Sequence, residues 1–368
     1  MAQAVSGVER IVDCHTHLRD IAHTEHFLEI MKAAGTTRMS VMATMRPESG
    51  SGIPQALYLK ALHPDKFYVF GGLNHATYLS QGKAQAPTLA EQVDILMNLG
   101  CDGIKMIEGK PTSRKRLPIP FDSDYYADYF ARAQERDFPI LWHVNDPEEF
   151  WDPQKIPTWA KEHGWGYDET FVQKETLYRE VEEVLNRHPE LKIIFAHFYF
   201  LSADLPRAGR FFENHPNTYF DLAPGIEMYY NFAKDPEASR NFFQGHQDRI
   251  LYGTDIISDR TIEKASSRAE IVKRFLETRD TFTTQPKTDP LLGSPEEGII
   301  RGIALPHEVL AKIFCQSFEG LAGQHPRPLN IELAISECER IAGIANQMSD
   351  VAPEETQAGI AAKKLRKM

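Results

Sequence analysis

Short runs rich in β-branched and aromatic residues recur along the chain, and a segment with helical spacing follows each. After an opening strand at 11–17 come RMSVMAT (38–44), KFYVFGGL (66–73), GIKMI (103–107), PILWH (139–143), KIIFAH (192–197), TYFDL (218–222) and RILYGTD (249–255). These runs lack an apolar–polar alternation, as strands buried on both faces do, so they belong in a parallel sheet. Eight strand–helix units in series fit a closed barrel better than an open sheet. A doubly wound sheet would carry a glycine-rich phosphate loop after its first strand, whereas Thr16-His17-Leu18-Arg19-Asp20 has no glycine. The expected fold is α/β, a (β/α)8 TIM barrel with an insertion after strand 5 and extra C-terminal helices. Its domains are a barrel over 11–323 and a helical extension over 324–368.

Local signals support this reading. Thr88 and Glu91 form a capping-box pattern for a helix closed by Gly100, and Gly35 closes the first helix. The excursion to about residue 173 carries Phe150, Trp151, Trp159, Trp165 and Tyr167, which predicts an ordered insertion rather than a linker. The stretch 281–294 reads as loop, and an Ala- and Lys-rich tail is expected after Pro353.

Composition excludes several classes of partner. A formal net charge of −11 disfavours nucleic acid and anionic membrane. No apolar run approaches the roughly 20 residues needed to span a bilayer. Cys14, Cys101, Cys315 and Cys338 are scattered singly, which suits a reducing compartment, and residues 1–10 carry no secretory pattern. A cytoplasmic protein is expected.

Within the first strand, His15 and His17 stand two residues apart and project to one side, with Cys14 and Thr16 facing away. Two imidazoles on one rigid strand are half of a transition-metal site. A barrel places its chemistry at the C-terminal ends of its strands, and Lys105, His143, His197 and Asp255 stand at four more such ends. Taken singly, each has a plain structural explanation: a satisfied core histidine, a solvated lysine, or an N-cap aspartate. Their coincidence at strand ends points to metal chemistry. Three histidines and one carboxylate suit zinc, with Asp255 as ligand or general base and His197 as a nearby proton shuttle.

The motifs VDCHTHL, GIKM, LWH, FAH and LYGTD together resemble the amidohydrolase superfamily of metal-dependent TIM-barrel hydrolases. The resemblance extends from Ile11 to Gly323 and is closest to the amidohydrolase-related branch that includes aminocarboxymuconate-semialdehyde decarboxylase-like enzymes. It implies that His15, His17, His143 and Asp255 ligate one divalent ion, most commonly Zn, and that His197 is catalytic. Two-metal relatives use a carboxylated lysine on strand 4 and the histidine of strand 6, so Lys105 and His197 leave room for a second ion. Look-alikes commonly form dimers, which makes a homodimer the expected assembly.

Near the expected mouth, Arg19, Arg46 and a basic loop with Lys110, Arg114, Lys115 and Arg116 suggest a small anionic substrate, since arginine pairs with carboxylates through a two-pronged fork. Arg19 and Lys105 are the preferred contacts. Tyr199, Glu227 and Tyr229 could form a lid or wall. Two reactions fit this set: hydrolysis of an ester, lactone or amide, and non-oxidative decarboxylation of an unsaturated or aromatic acid.

Overall fold

A computed structural model describes residues 7–44, 51–285, 288–293, 296–349 and 351–368. One parallel sheet holds β1 (Val12–His17), β2 (Arg38–Met42), β3 (Phe67–Gly72), β4 (Gly103–Gly109), β5 (Ile140–Val144), β6 (Ile193–Phe195), β7 (Thr218–Asp221), β8 (Ile250–Leu251) and β9 (Ile256–Ile257). Their spatial order is β8-β7-β6-β5-β4-β3-β2-β1-β9. β8 and β9 are two pieces of one strand: β8 pairs with β7, and β9 pairs with β1. Between them Cys14 N–H donates to the Tyr252 carbonyl (3.0 Å) and Asp255 N–H to the His15 carbonyl (2.8 Å), which closes the ring. The TIM barrel is therefore present.

Two apolar clusters follow from this closure. Val12, Cys14, Phe70, Leu141, Ile194 and Leu251 fill the lumen, sealed by Phe318, whose ring lies 5.1 Å from that of Tyr68. A larger cluster lies between strands and helices. The helix Leu89–Leu99 opens with the full Thr88–Glu91 capping box and ends on Gly100 at φ 91°, a left-handed cap that costs glycine little.

Two expectations change. Cys14 does not face away from the histidines: β1 shifts register between Asp13 and Thr16, and this bulge turns Cys14 and His15 both inward. Inside the stretch expected as loop, Thr281–Phe282 pairs antiparallel with Ile300–Arg301. Beyond Pro353 the chain forms a helix, Gln357–Leu365, which packs against Ile53–Leu62 and Ile331–Ser349. Ala358, Ala361, Ala362 and Leu365 share its buried face, where small side chains let the helices approach closely.

The insertion after β5 is ordered, with turns at Glu148–Trp151 and Thr158–Glu162 and an apolar cluster of its own built on Phe150, Ala160 and Tyr167. No described helix is long and apolar enough to cross a membrane.

Candidate active site

β1 brings His15 and His17 to the barrel mouth, their ring centroids 5.3 Å apart. His15 Nδ1 donates to Asp221 Oδ2 (2.8 Å), and His17 Nδ1 donates to the Met42 carbonyl (3.1 Å). Because both partners accept, each ring keeps its lone pair on Nε2. Those two atoms lie 3.9 and 3.1 Å from Asp255 Oδ1. Ligand atoms of His15, His17 and Asp255 all fall within 4.8 Å of one another.

His197 is positioned differently from the strand end that its motif suggests. β6 stops at Phe195, and four successive residues, His197 to Phe200, have φ between 51° and 56°. Such left-handed backbone costs roughly 1–2 kcal/mol per residue and persists only when its surroundings fix it. Here Asp221 Oδ1 accepts from the backbone N–H of His197 (2.8 Å), and Tyr178 OH donates to the Tyr199 carbonyl (2.9 Å). The turn sets the His197 ring 5.3 Å from that of His15 and 4.8 Å from that of His143. His197 Nδ1 donates to the Ala223 carbonyl (2.9 Å), which leaves Nε2 as the acceptor.

His143 uses its other nitrogen. Nε2 is held by the Asn145 carbonyl (2.9 Å) and Asp146 Oδ1 (3.2 Å), so the lone pair is on Nδ1. His143 thus joins the cluster through His197 and stands outside the tight group of three. Gly109 permits the close approach of β4 here: a Cβ on it would meet the His143 carbonyl oxygen at 2.4 Å.

Asp255 also departs from regular strand geometry, with φ 54°, and it caps no helix; the next one, Ile262–Glu277, is capped by Thr261. Thr254 fixes the bend by donating through both Oγ1 and its N–H to Asp13, which also accepts from the N–H of His15. Arg268 donates to the Thr254 and Pro224 carbonyls and approaches Asp255 Oδ2 at 3.3 Å.

The electrostatics follow from burial. It holds His15 well below the ordinary imidazole range, with Lys105 adding to the effect, and it lowers His17 as well. His143 and His197 are pushed down to about 4 by burial, and His143 presses further on His197. All four rings are therefore neutral near pH 7, the form that binds metals. Burial alone would raise Asp255, but the Arg268 guanidinium, 3.3 Å from Oδ2, holds it well below the usual carboxylate range.

Three inward-facing lone-pair atoms this close repel one another unless positive charge lies among them. Lys105 Nζ, 3.2 Å from His15 Nε2, supplies one such charge, and burial lowers its pKa to about 8. The donor set therefore fits a divalent cation.

Sequence reasoning missed Asp221, Asp13, Arg268 and Asp146. Asp221 ends β7 and was open to the same strand-end argument as the histidines. Arg268 lies mid-helix, where no local signal marks it. Of the residues expected to meet substrate, Arg19 is exposed beside His17, its backbone N–H bonded to Ser258 Oγ. Arg46 lies outside the described residues. The basic loop is engaged within the protein: Lys110 pairs with Asp146, Arg114 with Glu180, and Lys115 with Thr170 and the Phe171 ring. Tyr199 and Tyr229 are buried packing residues rather than a lid.

The amidohydrolase family profile matches residues 82–316, more than half of the 368-residue chain. β1 with His15 and His17 lies before the matched stretch. Among solved structures, 2,6-dihydroxybenzoate decarboxylase from Rhizobium is 15% identical with a TM-score of 0.51, covering 85% of this chain and 98% of its own. 5-Carboxyvanillate decarboxylase from Novosphingobium aromaticivorans, complexed with manganese and 4-hydroxy-3-methoxy-5-nitrobenzoic acid, is 13% identical with a TM-score of 0.51, covering 86% and 96%. A putative amidohydrolase from Staphylococcus aureus is 15% identical with a TM-score of 0.52, covering 85% and 99%. These likenesses establish the fold. No curated relative matches the chain.

Proposed function

Because the chain belongs to the amidohydrolase family, we propose that it is a metal-dependent hydrolase of an ester, lactone or amide carbonyl in a small, carboxylate-bearing substrate. The observation that carries this reading is the convergence of His15 Nε2, His17 Nε2 and Asp255 Oδ1, each fixed from behind by Asp221, Met42 or Arg268. These three residues would hold one divalent ion, with His143, outside the tight group, as the fourth ligand through its free Nδ1; zinc is the first candidate and manganese, present in a structural neighbour, the second. The ion supplies Lewis acidity and lowers the pKa of water toward neutrality.

The chain's own groups do the rest. Asp255 accepts the proton of the attacking water through Oδ1, while Arg268 steadies Oδ2. His197, held by its Nδ1, presents Nε2 to take up a proton and return it to the leaving group. Arg19 and Lys105 attract the substrate carboxylate. Non-oxidative decarboxylation is the second reading, supported by the names of two structural neighbours; the same residues would then anchor an acid that loses carbon dioxide.

The test is a screen of carboxylated lactones, amides and hydroxybenzoates, with acid release and carbon dioxide followed in parallel. Acid release with consumption of water supports the hydrolase. Carbon dioxide release without it overturns the hydrolase in favour of the second reading. Purified protein without bound metal, and without response to added zinc or manganese, overturns the shared premise.

A further inference from the structure

Between the insertion and the helix Ile226–Phe232 lies a cleft of about 470 Å³. One wall carries Phe150, Ile156 and Trp159, and the other carries Ile226 and Tyr230 from the helix Ile226–Phe232. Two of the cleft's lining residues lie close along the chain to groups that hold the cluster. Its residue Pro147 directly follows Asp146, which contacts His143, and Ile226 comes three residues after Ala223, which holds His197.

Its charge is one-sided. Glu149 and Glu227 line it, and neither makes an ion pair among the described residues; Glu297 lines it too. The cation in the lining, Lys155, is turned to Asp152 at 3.1 Å. Burial and the neighbouring Glu149 push the Glu227 carboxyl up to about 8, with Lys174 only partly offsetting them and Asp146 adding to the rise. Near pH 7 that carboxyl is largely protonated, and a cationic partner beside it would favour its ionised form. The aromatic walls favour the same partner, since ring faces attract cations and an apolar body fills the space between them.

We propose that this cleft binds an apolar group bearing a cationic amine, and that it receives the far end of the substrate whose carbonyl lies at the histidine cluster. The first half stands on the cleft alone; the second rests on the function proposed above. The substrate class narrows accordingly, to compounds with an acid or carbonyl at one end and an amine-bearing aromatic or aliphatic group at the other.

Calorimetric titration with benzylamine and benzyl alcohol tests the first half on its own. Benzylamine is expected to bind about tenfold more tightly than benzyl alcohol. The preference should vanish in Glu149→Gln/Glu227→Gln, and Ile156→Trp, which fills the space without changing charge, should weaken both ligands. Benzylamine binding should survive in His15→Ala, so failure of the metal reading leaves this result standing. Equal binding of benzylamine and benzyl alcohol, or an undiminished preference in the folded double glutamine variant, overturns the proposal. If that variant does not fold, Ile156→Trp decides: unchanged benzylamine binding overturns the proposal, and weakened binding, together with the tenfold preference over benzyl alcohol in the parent protein, upholds it.

Discussion

At the scale of single residues, the site depends as much on the groups behind the histidines as on the histidines. His15→Ala removes a donor atom and should lose metal and activity together, checked by metal analysis of the purified variant. His197→Asn should keep about one ion per chain while activity falls; loss of a second ion would show that Lys105 and His197 hold one. Asp221 acts from behind, because its two oxygens bind His15 Nδ1 and the backbone N–H of His197. Asp221→Asn keeps the shape but weakens the acceptor that fixes the His15 tautomer. Replacing such a partner lowers metal affinity or activity about 10- to 100-fold, so zinc competition against a chelator should show a loss of that order. Affinity equal to that of the parent protein would mean that His15 does not bind metal through Nε2.

Among the elements, the insertion is held by one buried carboxylate. Asp146 accepts from Lys110 Nζ at 2.9 and 2.8 Å, from His143 and from Tyr167 OH, while Lys110 also sits 4.2 Å from the centre of the Trp165 ring. Burial would raise this carboxyl, but Lys110 and His143 hold it well below the usual range. A folded-state value below the unfolded one gives stability that is full above about pH 4 and fades as pH falls beneath it. Trp151, Trp159 and Trp165 all lie in the insertion, and Trp142 lies in β5, so tryptophan emission reports the clamp. Emission should hold constant from pH 7 to about 4.5 and shift red only below about pH 4. Asp146→Asn should be red-shifted already at pH 7; an unshifted spectrum would show that other contacts hold the insertion. The strands, helix caps and aromatic insertion were legible in the sequence because each is written in local pattern. The bulge in β1, the left-handed turn at His197 and the break at Asp255 were not, since long-range partners impose them: Asp13 with Thr254, Asp221, and Tyr178. For the same reason Lys110 and Arg114 looked like substrate contacts until Asp146 and Glu180 were seen to engage them.

Over the whole molecule, the closed end of the barrel is tied together by the fully buried pair of Lys60 and Asp102. Lys60 Nζ donates to Asp102 Oδ2 (2.5 Å) and to the Gly100 carbonyl (2.7 Å). Asp102 also accepts from the N–H of Val69 in β3 and from the N–H of Arg327, where the C-terminal extension begins (both 2.7 Å). A helix, a strand and the extension thus meet at one carboxylate that is 0% exposed. Lys60→Met preserves length and removes the charge, leaving Asp102 buried without a counter-ion. Breaking a buried pair from one side costs about 3–5 kcal/mol, which should appear as a clear drop in the urea midpoint. Replacing both partners, as in Lys60→Met/Asp102→Leu, usually restores stability when a pair stands alone. Here it should not, because the N–H groups of Val69 and Arg327 would lose their acceptor, at about 1–3 kcal/mol each. A double variant as stable as the parent would show that the pair is incidental to the joining of barrel and extension; one no more stable than Lys60→Met would show that Asp102 serves the backbone as much as it serves the lysine.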